Sequence, residues 1–248
     1  MGIETLKEIV RSTEYLVIFI AIVVSALYLL SLSSKIRGFI YKQKYSAREK
    51  MGMILFFGLL GILASEFGFR LAGSLVNVRD FIAIFAAILG GPVVGIGAAL
   101  ISGLYRMTGV LWTGFSGTLG YWTAIGCGVA TIGAGCLGAY LSKYKNMNIR
   151  NITTKQIWMI TVITALWQVI HLEVIVPLIA PLYNDRTFLG AVILLGQTLL
   201  LPMALVNALG ILLFLFITRD TVIKREAEIA EKEMIDAELK EREQPNQV

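Results

Sequence analysis

Residues 77–106 read N-V-R-D-F-I-A-I-F-A-A-I-L-G-G-P-V-V-G-I-G-A-A-L-I-S-G-L-Y-R, an apolar segment of membrane length with an arginine near each end and a Gly90-Gly91-Pro92 break in its middle. Proline has no amide hydrogen to give a helix, and the two glycines accept a sharp backbone turn. The segment is therefore expected to form two half-helices, 81–89 and 93–105, meeting at a corner with Gly90, Gly91 and Pro92 as the structural hinge. In hydrocarbon every backbone polar group needs a partner, so such a break survives only inside protein or along a cavity. In transporters a break of this kind often marks the binding site.

The rest of the chain supplies the membrane around it. Of its 248 residues 56% are apolar, and several apolar runs approach the roughly 20 residues that span a bilayer. The runs 15–32, 51–67, 121–141, 157–180 and 189–217 are expected to cross. The first reads as a retained anchor rather than a signal peptide, because the residues before it are not net basic. Basic residues gather at 33–50, 142–155 and 219–225. These segments belong on the cytoplasmic side, and all three reach it only if the broken segment enters and returns to the side it came from. The N-terminus is then outside, the C-terminus is cytoplasmic, and Arg79 and Arg106 share the outer end of one hairpin. The net charge of +5 is thus a topology signal for a multi-pass protein of the plasma (inner) membrane, not a nucleic-acid footprint.

Two arginines at the mouth of one hairpin suit a small organic anion, since the planar guanidinium matches a carboxylate with two parallel hydrogen bonds. The alternatives are that both extend to the headgroups or that Arg79 pairs with Asp80. Asn77 either adds a ligand contact or caps the helix that follows. Cys127 lines the pocket or is a small packing residue, with Thr123 and Thr131 as lesser candidates. His171, the single histidine, shares a helical face with Gln168, while Glu173 points elsewhere. It reads first as a hydrogen-bonded bundle residue and second as a ligand contact, and Asn207 reads the same way. Cys127 and Cys136 lie roughly 13 Å apart along a helix and cannot pair. No nucleophile–base set, phosphate loop or metal-ligand spacing is present in the sequence. The expectation is no catalysis, no cofactor and no metal.

With Asn77-Val78-Arg79-Asp80, Gly90-Gly91-Pro92-x-x-Gly95, Gly103-Leu104-Tyr105-Arg106 and the stretch from Gln197 through Pro202 and Asn207 to Gly210 in place, residues 51–218 resemble the five-transmembrane receptor domains of the LytS–YhcK type. The resemblance implies a membrane sensor of extracellular small molecules, with a carboxylate such as pyruvate as ligand. Its output is a histidine kinase or a diguanylate cyclase, fused or acting in trans. It also gives Cys127 a place in the pocket. Two departures are visible: Tyr105 stands where the family has histidine, and 110–119 is an extra loop. The Gly-Pro hairpin is more distantly similar to the substrate-binding subunits of vitamin transporters.

The fold class expected is all-α integral membrane, with about five crossing helices, the broken hairpin and a cytoplasmic signalling helix. Its divisions are an extracytoplasmic N-terminus (1–14), an anchor and basic loop (15–50), the sensor domain (51–218) and a helical tail (219–248). The apolar residues from Val222 to Leu239 have helical spacing over a stretch too short to define a coiled coil, and a homodimer through this tail is expected. The partners expected are the lipid bilayer, a small carboxylate and the output enzyme, with no nucleic acid. The alternative is a small-solute transporter or its substrate-binding subunit.

Overall fold

The computed structural model describes Ile18, Ala21, Tyr28 and residues 32–42, 44–66, 69–71, 74–76, 78–113, 120–145, 147, 149–183 and 187–243. The expected first span lies almost wholly outside them. The helices are α1 (Ser34–Tyr41), α2 (Ala47–Glu66), α3 (Arg79–Gly90), α4 (Pro92–Thr113), α5 (Gly120–Tyr144), α6 (Thr154–Ile170), α7 (Val176–Ile179), α8 (Phe188–Leu195) and α9 (Leu201–Glu243). Apart from connecting turns, the described residues are helical, with 3₁₀ and π turns and one short antiparallel hairpin, β1 (Phe69–Leu71) with β2 (Ser74–Val76), between α2 and α3. Among the described residues three stretches are long and apolar enough to cross a membrane: Trp122–Lys143, Thr154–Leu182 and Phe188–Lys240.

The broken segment is the centre of the bundle. Every residue of α3 is buried, so this helix, about 18 Å long, is surrounded by the others on all sides. At its end Gly91 has φ 88°, a left-handed conformation that glycine adopts without cost. Gly91 donates to the Ala87 carbonyl at 2.8 Å and accepts from Val94 and Gly95 at 3.1 and 3.2 Å. It thereby closes one helix and opens the next, with Pro92 at the first position of α4, where its missing amide costs nothing. Both half-helices exceed expectation: α3 starts at Arg79, and α4 continues to Thr113, so the first part of the expected extra loop at 110–119 is helical. The segment 107–113 carries no charge or proline to stop a helix.

Small residues set how the hairpin packs. A Cβ placed on Gly95 would stand 2.3 Å from the Ala87 Cβ, and one on Gly135 2.4 Å from the Ala99 Cβ. These contacts bring α4 back along α3 and lay α5 against α4 at backbone distance, the small-residue packing that membrane helices use. Gly95→Leu is therefore expected to prevent closure and sharply reduce folded yield, since overpacking a tight core costs about 1–3 kcal/mol or more. Gly52→Leu, at a site where a Cβ would meet nothing within 4 Å, should leave the size-exclusion profile of a fluorescent fusion unchanged. An aromatic chain fastens α3 laterally: Phe57–Phe85, Phe85–Phe214 and Phe81–Phe214 meet edge-on at 5.8, 5.0 and 5.2 Å.

The last two spans each contain a π turn, His171–Ile175 after α6 and Gly196–Leu200 after α8. Each ends two residues before a proline, Pro177 and Pro202. A proline ring collides with the carbonyl four residues back in a regular helix, and the wider turn moves that carbonyl away. α9 then runs unbroken for 43 residues, about 65 Å, so the expected tail is continuous with the last span.

Candidate ligand-binding site

The first turn of α3 carries the site. Arg79 and Asp80 are buried there, and Arg106 of α4 is buried at the same end. Arg79 donates from Nη1 to Ser65 Oγ at 2.9 Å, and Tyr105 donates to Glu66 Oε1 at 2.7 Å, so both ends of the hairpin rest on the last turn of α2. The two guanidinium groups lie within electrostatic range of each other. Being buried, neither arginine extends outward toward headgroups. The sequence expectation that they share one end is met in the structure.

Asp80 gathers the remaining polar groups. Thr131 Oγ1 donates to its Oδ1 at 2.9 Å, Gln168 Nε2 donates to Oδ2 at 3.1 Å, and His171 Nδ1 meets Oδ2 at 2.7 Å. All four residues are buried. His171 therefore hydrogen-bonds within the bundle, and Gln168 shares its face as the i, i+3 spacing predicts. A carboxylate in this setting is stable only because each oxygen is engaged. Cys127 lies one turn from Thr131 on α5 and within electrostatic range of His171, Arg106 and Arg79. Thr123, a further turn back, is buried as well, while Cys136 is exposed on another face. Glu173 lies against Gly196 between the two π turns and not in this cluster.

Asn77 lies outside the described residues, as does the larger part of the extra loop. Asn207 caps the first turn of α3 from a distance, its Oδ1 accepting from the Phe81 amide at 3.2 Å. Phe81 also packs on Gly210, where a Cβ would come within 2.5 Å of its ring. α9 therefore holds the first turn of α3 directly. Sequence reading missed Ser65, Glu66 and the hub role of Asp80. Only an acidic residue beside an arginine hinted at the last.

Fold and site together define an integral-membrane receptor: a helical bundle with paired arginines and a polar cluster buried at one end, and a long helix leading away. The family model described as 5TMR of 5TMR-LYT matches residues 34–221. The chain belongs to this five-transmembrane receptor family, and is a membrane sensor domain of the kind found in two-component sensor histidine kinases. It is similar to the sensor protein LytS of Bacillus anthracis, 27% identical over 199 residues, 74% of this chain and 30% of the relative. It is also similar to two Escherichia coli K12 sensor histidine kinases: BtsS, 28% identical over 166 residues (66% of this chain, 26% of the relative), and YpdA, 31% identical over 106 residues (43% and 17%). The chain thus spans less than a third of the length of these curated relatives. No solved structure gives a significant match.

Proposed function

We propose that this domain binds a small extracellular carboxylate such as pyruvate between Arg79, Arg106 and the face of α5 bearing Thr123 and Cys127, with Asn77 at the rim. The observation that carries this reading is the burial of two guanidinium groups from opposite ends of one hairpin at the same end of the bundle. Each supplies a charge-assisted fork suited to a carboxylate. In this reading five helices cross the bilayer and α3–α4 is the returning hairpin, which puts the N-terminus and the site outside and α9 in the cytoplasm. Binding shifts α3 against α9 through the Asn207–Phe81 bond. The tails of a homodimer carry the change to a histidine kinase or diguanylate cyclase, fused or separate. Ligand affinity that differs between the two arrangements is what moves the equilibrium.

The test has two arms on purified and membrane-embedded protein. Calorimetric titration with pyruvate is expected to give saturable binding that neutral acetone does not reproduce. In whole cells, with Cys136→Ala as background, single cysteines at Lys44 and Lys145 should resist a membrane-impermeant thiol reagent while one at Ser116 reacts. Heat equal for pyruvate and acetone would overturn the carboxylate assignment. Labelling at Lys44 and Lys145 from outside would overturn the topology.

A further inference from the structure

The output helix is held once more after it leaves the bundle, by a part of the chain that the carboxylate site does not include. From Glu231 to Lys240 every residue of α9 is exposed. Just before that free stretch, α9 packs on α1, the short helix inside the basic segment 33–50. Arg37 of α1 donates from Nη2 to Glu228 Oε1, and Arg225 donates from Nη1 to Glu228 Oε2 at 2.9 Å. Arg37 is itself fixed, donating from Nη1 to the Leu32 carbonyl at 2.5 Å. The Arg225 guanidinium lies over Gly38, 4.0 Å from where a Cβ would stand. Ile40 of α1 and Val222 of α9 are both buried beneath these charges.

The linker between α1 and α2 is pinned to both helices. The Tyr45 hydroxyl lies 3.2 and 3.3 Å from the carbonyls of Phe39 and Ile40. The Phe39 and Tyr45 rings meet at 5.2 Å, and Arg150 lies over the Tyr45 ring at 5.8 Å. Ser46 and Glu49 cap the start of α2 reciprocally, at 2.7 and 3.3 Å, and Lys42 pairs with Glu49 at 2.6 Å. The far end of the same helix carries Ser65 and Glu66, which hold Arg79 and Tyr105. α2 therefore touches the binding site at its last turn, and the pinned linker at its other end leads directly into α1, which touches the output helix.

We propose that α1 is a cytoplasmic latch on the output helix: movement of the last turn of α2 at the site is carried along α2 to the Arg37–Glu228–Arg225 cluster, which sets how α9 leaves the bundle. The ion pair is partly exposed, with 16% and 32% of the Arg37 and Glu228 side chains accessible. Such pairs are weak and reversible, as a latch that opens on signal requires. This route is separate from the Asn207–Phe81 contact and rests on the site reading only for the identity of the stimulus.

Amide hydrogen exchange on the full chain in lipid nanodiscs tests it. Without ligand, Glu228→Gln and Arg37→Gln are each expected to speed exchange over residues 222–230 by about fivefold, the scale of a partly exposed ion pair, and to leave 201–218 unchanged. Asp220→Asn breaks the 2.6 Å pair with Lys224, an ion pair internal to α9, and should not reproduce the effect. Tyr105→Phe, which releases Glu66 at the site end, should alter exchange at 222–230 in the parent but not in Glu228→Gln. Pyruvate should do the same, with calorimetric binding retained in Glu228→Gln. Exchange at 222–230 that ignores Glu228→Gln, or that still responds to Tyr105→Phe in its presence, overturns the latch. If pyruvate does not bind the parent, the carboxylate reading fails, and the Tyr105→Phe comparison alone decides the latch.

Discussion

Asp80→Ala is expected to cost about 3–5 kcal/mol of folding stability, the scale of removing one partner from a buried charged pair. The side chain accepts from Thr131, Gln168 and His171, and its loss takes that acceptor from Gln168 and His171 in the interior, while Thr131 keeps the Cys127 carbonyl at 2.9 Å. The effect should appear as a large fall in monodisperse protein after detergent extraction and a lowered midpoint of thermal unfolding. Asp80→Asn keeps one acceptor oxygen and the volume of the side chain, so its loss should be smaller. His171→Ala should fall between the two, since it leaves Asp80 with two neutral donors. If Asp80→Ala unfolds at the parent's midpoint, Asp80 is not the hub of the bundle's polar core.

Truncating either arginine is expected to weaken carboxylate binding by about 1.5–3 kcal/mol, or about one to two orders of magnitude in Kd, at equal folded yield. Arg79 and Arg106 come from the two strokes of the hairpin, so one ligand held by both should lose a charge-assisted contact in either variant. Lysine at each position restores charge but not the planar fork, and should bind between the parent and the alanine variant. The comparison is a pyruvate titration of Arg79→Ala, Arg106→Ala and the two lysine variants. Variants that all bind as the parent does would exclude the two-arginine clamp. A structural arginine predicts a different pattern, in which lysine and alanine change stability and leave affinity alone.

Much of this arrangement was legible in the sequence because it depends on strong local signals. The Gly90-Gly91-Pro92 break could end only in a sharp corner, and the charges in the loops required that corner to turn the chain back. The Gln168/His171 spacing alone put two polar side chains on one helical face. The helix ends were less legible. Arg79 and Asp80 look like loop residues until their partners arrive from α2, α5 and α6, and the π turns before Pro177 and Pro202 lower no local propensity.

The sequence by itself determined the hairpin and the end at which the arginines sit, since periodicity, hydrophobic length and backbone chemistry are local quantities, while the family was legible through its resemblance in the motifs around Arg79, Pro92, Arg106 and Asn207. Only the tertiary structure decided that α3 is the buried axis, that Asp80 collects Thr131, Gln168 and His171, and that Asn207 caps a helix more than a hundred residues earlier. The same is true of Glu228, an ordinary charge on an exposed helix until Arg37 approaches it from α1. A polar side chain in an apolar interior must find a partner wherever packing brings one. The identity of that partner is set by which helices lie side by side, and no local pattern in the chain records it.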